Sequence, residues 1–300
     1  MTQSFTVTKL GPAIGAEIGE IDLSRPLEAD TVADLRQALL DNLVLFFHDQ
    51  ELEIAEHKEF GRYFGDLHIH PRAPSPEGHP ELLVIHADEK SKRVAGQGWH
   101  TDVSCDREPP MASILRMTEV PADGAGDTIF ASMYAAYEAL SDTMQGFLSG
   151  LSAVHESAHV YRGRFYSDAK AARDEQPSSE HPIVRTHPET GRRALYVNSG
   201  FTTRIVGMNR EESRALLDFL FGHIERPDFQ VRFRWRPNSI AFWDNRCTQH
   251  LAVWDYYPQV RHGVRVTIAG DQPFFRASES GSGDSDLLQA VAPPGTVAAN

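Results

Sequence analysis

The chain has little cysteine: Cys105 and Cys247 are the only two in 300 residues. Two cysteines so far apart give no disulfide framework and no Cys-x-x-Cys metal pair, and a reducing cytoplasm is the expected compartment. Long hydrophobic runs are missing as well. None reaches the roughly 18 apolar residues that suggest a membrane span. The first segment, Met1 to Leu10, alternates polar and apolar residues and lacks the basic start and apolar core of a signal peptide. Excess positive charge is also absent. With 29 Lys and Arg against 42 Asp and Glu, the formal net charge is -13, which argues against a general nucleic-acid binder. A small anion is still permitted, because a local arginine pocket can override the global field. No internal repeat is present.

What is there is a chain long enough to bury a substantial core, with apolar residues spread along it. Phe5 to Leu10 and Ala16 to Leu23 read as short strands around a Gly11-Pro12 turn. Ala29 to Asn42 reads as an amphipathic helix, with Val32, Leu35, Ala38 and Leu39 on one stripe. Leu43 to Phe47 reads as a buried strand, and Glu53 to Phe64 as a helix. Short strands then follow at 82–86, 113–120, 128–133, 183–186, 194–198, 240–243 and 264–269. Helices are expected at 133–140, 142–148 and 210–224. Many short strands with Gly/Pro turns suggest a sandwich or jelly roll. The polar segment from Tyr161 to His181 is expected to be an exposed connection or a mobile lid. Ser, Gly and Asp dominate from Ala277 to Asp286, and Pro293 onward is rich in Pro, Ala and Gly. The expected organisation is one domain over 1–276 with a disordered tail over 277–300.

The sharpest local feature is Gly98-Trp99-His100-Thr101-Asp102. Residues two apart share one face of a strand, so an extended chain aims His100 and Asp102 the same way, as two cis ligands of one metal require. On a helix they would diverge by about 200°. A His-x-Asp alone is weak, and by itself reads as a surface loop. The second half is Ile240 to His250, an apolar strand ending in a polar turn that presents a histidine. Two histidines and one carboxylate suit non-haem Fe(II) and leave adjacent positions open. The third element is Arg261 to Ala269. As a strand it places Arg261, Gly263, Arg265 and Thr267 on one face and Val264, Val266 and Ile268 on the other. Arg261 and Arg265 then stand about 13 Å apart, too far to grip one carboxylate, and each needs its own anion if buried. Taken alone, the strand reads as an exposed basic edge.

Together these residues resemble the taurine dioxygenase family, which includes the phenoxyacetate-degrading dioxygenases. The shared motifs are Trp99-His-Thr-Asp102, Gly126-Asp-Thr128 followed by Met133-Tyr134, Trp243-Asp-Asn-Arg246, His250, and Arg261 eleven residues later. The likeness runs from about Phe5 to Asp271. It implies a mainly β fold with flanking helices, a double-stranded β-helix of jelly-roll type. It further implies Fe(II) held by His100, Asp102 and His250, and 2-oxoglutarate bound through Arg261 and Thr128. Dioxygen would then drive oxidative decarboxylation to succinate, coupled to hydroxylation of a small organic anion such as a sulfonate, alkyl sulfate or aryloxy acid. Hydroxylation beside sulfur or oxygen gives an unstable adduct that breaks the C–S or C–O bond. By the same likeness Arg265 and His70 contact the substrate. Two departures stand against taurine itself: the tyrosine expected three residues after His70 is Ala73, and the asparagine expected four before His100 is Gly96. No nucleic acid or membrane partner is expected, and a homo-oligomer is left open. Two rival readings fit the triad alone: a zinc or manganese hydrolase, which has no use for Arg261 with Thr128, and a non-catalytic binding protein on the same fold.

Overall fold

The structure, a computed structural model, describes residues 5–70, 75–94, 96–158 and 177–277. In chain order the elements are β1 (Thr6–Lys9), β2 (Ala16–Gly19), α1 (Ala29–Asn42), β3 (Val44–Phe47), α2 (Ile54–Arg62), β4 (Leu82–Ala87) and β5 (Ala112–Glu119). Then come β6 (Thr128–Ser132), α3 (Met133–Glu138), α4 (Asp142–Leu148), β7 (Ser152–Glu156), β8 (Ser178–Pro182), β9 (Val184–Thr186), β10 (Arg193–Leu195) and β11 (Thr202–Ile205). The last are α5 (Arg210–Ile224), β12 (Gln230–Phe233), β13 (Ser239–Asp244), β14 (Thr248–Ala252) and β15 (Arg261–Ile268). The chain is mostly β, with helices flanking the sheets.

A seven-stranded sheet in the order β1-β2-β3-β13-β5-β15-β4 forms the frame. Only the β2–β3 pairing is parallel. Its central strands are buried on both faces, and side-chain alternation sorts them into two cores. Leu45, Phe47, Ile114, Ile240, Phe242, Val266 and Ile268 pack with Leu35 and Leu39 of α1 and Phe60 of α2. Val44, Phe46, Leu115, Met117, Ala241 and Trp243 face the other way and pack with Phe130, Val231 and Phe233 from a three-stranded sheet, β12-β6-β14. The candidate site lies between these two sheets. Local chemistry closes the helices: α5 starts at a capping box in which Asn209 and Glu212 bond reciprocally. α1 stops at Leu43, a buried residue at φ 67°, and the chain runs straight into β3.

Several expected strands are shorter than their apolar runs. The stretch 194–198 is regular only over β10, because Asn198 turns the chain by bonding Phe201 N and Thr202 Oγ1 instead of a ladder. The helix expected over 133–140 ends at Glu138. Strands β7, β8, β11, β12 and β14 are not among those expected: Thr248-Gln-His-Leu-Ala carries no apolar alternation, and Gln230-Val-Arg-Phe alternates over only four residues. The expectation of an exposed connection or lid over 161–181 is corrected at its C-terminal end. β8 pairs antiparallel with β7 and buries His181; residues 161–176 lie outside the described residues. The expected disordered tail, from 278 onward, does so too. The exposed-edge reading of 261–269 also fails: β15 is an internal strand, bonded to β5 on one side and β4 on the other.

Candidate active site

The His100 segment is attached to β14 by two reciprocal backbone bonds, His100 N to His250 O at 3.1 Å and His250 N to His100 O at 2.9 Å. The extended geometry expected of His100 is therefore real but lasts a single bridge. Immediately afterwards the chain turns, Val103 adopting φ 49°, while Thr101 Oγ1 donates to Asn245 O. The bridge brings the rings of His100 and His250 together, tilted by 47° with centroids 4.1 Å apart. His100, Asp102 and His250 each offer a ligand atom, all within 4.8 Å of one another. His100 Nδ1 lies 2.8 Å from Gly98 O, an acceptor that requires N–H there and leaves Nε2 with its lone pair. Burial, reinforced by the neighbouring His100, holds the pKa of His250 well below the usual histidine value, so its imidazole is neutral and ligand-competent. Gly200 is required beside this segment, since a Cβ there would lie 2.8 Å from His100 Cβ and 3.2 Å from Trp99 O.

Asp102 is buried at 3% exposure. Burial pushes its carboxyl pKa up, but Arg265, both histidines and the Ser113 bond outweigh it and hold the pKa well below the carboxylate range. Ser113 Oγ donates to Oδ2 at 2.7 Å and Arg265 Nη1 to Oδ1 at 2.6 Å. The sequence argument that each buried arginine needs its own anion is thus met for Arg265 by Asp102. For Arg261 it is not. Its Nε donates to Gly126 O at 3.1 Å, but Nη2 is buried without a partner. The guanidinium sits 5.5 Å from the centre of the Trp235 ring. Trp235 Nε1 donates to Thr128 Oγ1 at 2.9 Å, which leaves the Thr128 hydroxyl proton to bond an acceptor elsewhere. Gly126, at φ 83°, lets Arg261 in: a Cβ there would stand 3.1 Å from Arg261 Cδ and 3.0 Å from Tyr256. Asp127 pairs with Arg232 outside the cavity.

One cavity of about 330 Å³ is lined by all seven residues singled out in the sequence, His70, His100, Asp102, Thr128, His250, Arg261 and Arg265. Leu83, Ile85, Val94 and Phe201 supply an apolar wall. Burial, with the nearby Arg265 charge, lowers His70 to about 4, so it meets a ligand as a neutral imidazole. Gly96 is also in the lining, at φ 79°, and a Cβ would come 3.0 Å from His100 Cε1. Ala73 lies outside the described residues. Residues the sequence reading missed are Ser113, Gly200, Trp235 and Phe130, and Asn245, though part of the Trp243-Asp-Asn-Arg246 motif, was given no role. Trp235 and Phe130 carried no signal in the sequence beyond their aromaticity. His187, Asp244 and Cys247 also bring ligand atoms within 4.8 Å. Both Asp244 oxygens, however, are taken by Arg246 and His187, and burial pushes the Cys247 thiol up, away from the thiolate a metal needs. That cluster is a structural ion pair.

Comparison with known proteins agrees with this geometry. Residues 6–267 match the family described as "Taurine catabolism dioxygenase TauD, TfdA family". An alpha-ketoglutarate-dependent sulfate ester dioxygenase of Pseudomonas putida is 37% identical over 270 residues, covering 87% of this chain and 88% of that protein. A taurine dioxygenase of Burkholderia xenovorans, known from its crystal structure, is 41% identical with a TM-score of 0.78, covering 90% of this chain and 91% of that one. The crystal structure of AAD-2 with Mn(II) and N-oxalylglycine is 26% identical at a TM-score of 0.78, covering 89% of this chain and 99% of that one. The chain belongs to the TauD/TfdA family and is an alpha-ketoglutarate (2-oxoglutarate)-dependent dioxygenase, an oxidoreductase that uses Fe(II) and dioxygen. The hydrolase and non-catalytic readings are not kept.

Proposed function

We propose that His100, Asp102 and His250 hold the iron, that Arg261 and Thr128 bind the distal carboxylate of 2-oxoglutarate, and that Arg265 and His70 anchor a small organic anion. The observation that carries this reading is the pairing of the compact triad with Arg261 in one cavity: a buried guanidinium with an unsatisfied Nη2 needs an acceptor, and a carboxylate supplies one with the opposite charge. Iron(II), 2-oxoglutarate and dioxygen together supply the oxidising power: carbon dioxide is lost, one oxygen atom enters succinate and the other enters a substrate C–H bond. The protein's part is placement. Arg261 offers a planar fork to a carboxylate, the Thr128 hydroxyl donates beside it, and the apolar wall excludes water from the reacting carbon. Hydroxylation at a carbon bearing a sulfate, sulfonate or aryloxy group leaves an adduct that collapses to a carbonyl compound and releases the heteroatom group with a proton.

The substrate that fits best is longer or less polar than taurine. Gly96 removes a polar side chain beside His100, and Leu83, Ile85, Val94 and Phe201 line the space with hydrocarbon. On the same reading residues 1–276 act as one oxygenase domain of the double-stranded β-helix type, working in the cytoplasm, where buried free thiols such as Cys105 and Cys247 persist. The test is succinate release across a panel of sulfonates, alkyl sulfates and aryloxy acids. Substrate-coupled succinate with one of the longer anions supports the assignment; coupling with none of them, at saturating iron and 2-oxoglutarate, removes it.

A further inference from the structure

A directed chain of hydrogen bonds ends on Asp102. Trp243 Nε1 donates to Asn245 Oδ1 at 2.8 Å, Asn245 Nδ2 to Ser113 Oγ at 3.0 Å, and Ser113 Oγ to Asp102 Oδ2 at 2.7 Å. An indole N–H donates only. Its bond therefore fixes which end of the Asn245 amide is oxygen, which points the amide nitrogen at Ser113. The Ser113 oxygen then accepts, and its own proton has one destination, Asp102. The polarity of the whole chain follows from one indole.

The chain is also rigidly mounted. Trp243 and Ser113 are register partners across β13 and β5, and Ser113 faces Thr267 of β15 on its other side. Asn245 N donates to Met111 O at 2.8 Å, and Asn245 O accepts from Thr101 Oγ1 at 2.7 Å, which ties the loop of Asp102 to the same turn. Ser113 is 0% and Asn245 1% exposed, so water does not compete for these bonds.

We infer that Ser113 and Asn245 are positioning residues that occupy Asp102 Oδ2, while Arg265 Nη1 takes one lone pair of Oδ1, so that the remaining lone pair of Oδ1 is the one offered to the metal. This rests on the reading of Asp102 as a metal ligand. Arg265 holds Oδ1 from one side but leaves Oδ2 able to join as a second ligating atom; the Ser113 bond, whose direction is set from 243, is what keeps Oδ2 out. Partners of this kind typically change metal affinity by about 10–100-fold when removed.

The experiment uses the full-length protein under anaerobic conditions with Co(II), whose ligand-field absorption reports both affinity and coordination. Ser113→Ala should weaken Co(II) binding by roughly 10–100-fold and alter the absorption as Oδ2 joins or the carboxylate turns. Asn245→Asp, of the same size, should do likewise, because a carboxylate at 245 accepts from Trp243 and from Ser113 and turns the hydroxyl away from Asp102. Should Ser113→Ala fail to fold, Asn245→Asp alone carries the test. Ser213→Ala is the control, a buried serine that instead accepts from Ile205 N at 2.8 Å; it should leave affinity and spectrum as in the wild type. Folded Ser113→Ala or Asn245→Asp protein with wild-type affinity and spectrum overturns the inference while sparing the metal site. Wild-type protein that binds no Co(II), or binds it independently of His100, Asp102 and His250, overturns the underlying assignment as well.

Discussion

Replacing Arg261 by alanine should move cosubstrate binding and protein stability in different ways. Arg261 is 4% exposed, and burial lowers its pKa from the ordinary value. In the protein alone its Nε donates to Gly126 O, the Tyr256 hydroxyl interacts with it, and Nη2 is left unsatisfied. An unsatisfied buried polar atom costs about 1–3 kcal/mol, so deletion of the side chain should cost little stability. Binding is another matter. Removing one partner of a buried charge pair typically costs about 2–5 kcal/mol, which at about 1.4 kcal/mol per tenfold is roughly 30-fold to several-thousand-fold in affinity. The assay is anaerobic titration of 2-oxoglutarate into the Mn(II)-loaded protein, followed by calorimetry, with thermal unfolding of the same samples. Arg261→Lys should fall between the two, keeping the charge and losing the fork. Unchanged 2-oxoglutarate affinity in Arg261→Ala would refute the clamp and make Arg265 the next residue to test.

Asp102→Ala should lose most bound iron, since it removes the only carboxylate of the triad; full iron retention by metal analysis would contradict that. Arg265→Ala should lose turnover of every anionic substrate, and wild-type enzyme should turn taurine over poorly, with methylene-by-methylene preference of only about 1–3 kcal/mol; efficient taurine turnover, or an unimpaired variant, would refute the anchor. Stability should fall as pH is lowered from 6.5. Burial depresses His57 to about 4 and His155 to about 3, so in that window the unfolded chain binds protons that the folded one refuses. The slope approaches ~1.4 kcal/mol per pH unit for each histidine. Urea unfolding between pH 4 and 6.5 checks the sign, and a flat profile would show that these imidazoles do not stay neutral in the fold.

What was legible in the sequence was whatever depends on local pattern. The stripe of α1, the apolar runs of β3 and β13, and the alternation of β15 all read directly, because burial on a known face leaves a period. The motif residues could be named for the same reason, each sitting in a short run of distinctive type. Pairing across the fold left no such trace. β14 is Thr-Gln-His-Leu-Ala, a polar sequence made into a strand by β6 and by the His100 bridge. Ser113 looks like an ordinary small strand residue until β5 meets β13 and the Asn245 turn. The pairing of Arg265 with Asp102 was likewise hidden, since the two are far apart in sequence and the strand spacing alone suggested separate anions. Gly200 is unremarkable in the chain and Gly126 stands out only as part of the Gly126-Asp-Thr128 motif; the close approach of His100 and Arg261 shows why each lacks a Cβ.

The central claim is that one cavity binds iron and 2-oxoglutarate together through this triad and Arg261. Anaerobic addition of Fe(II) and then 2-oxoglutarate to the full-length protein, followed by visible absorption, tests it most directly. The account predicts a charge-transfer band that needs both additions, vanishes in Asp102→Ala and demands far more 2-oxoglutarate in Arg261→Ala. A wild-type protein that shows no band with both at saturating concentration would contradict it.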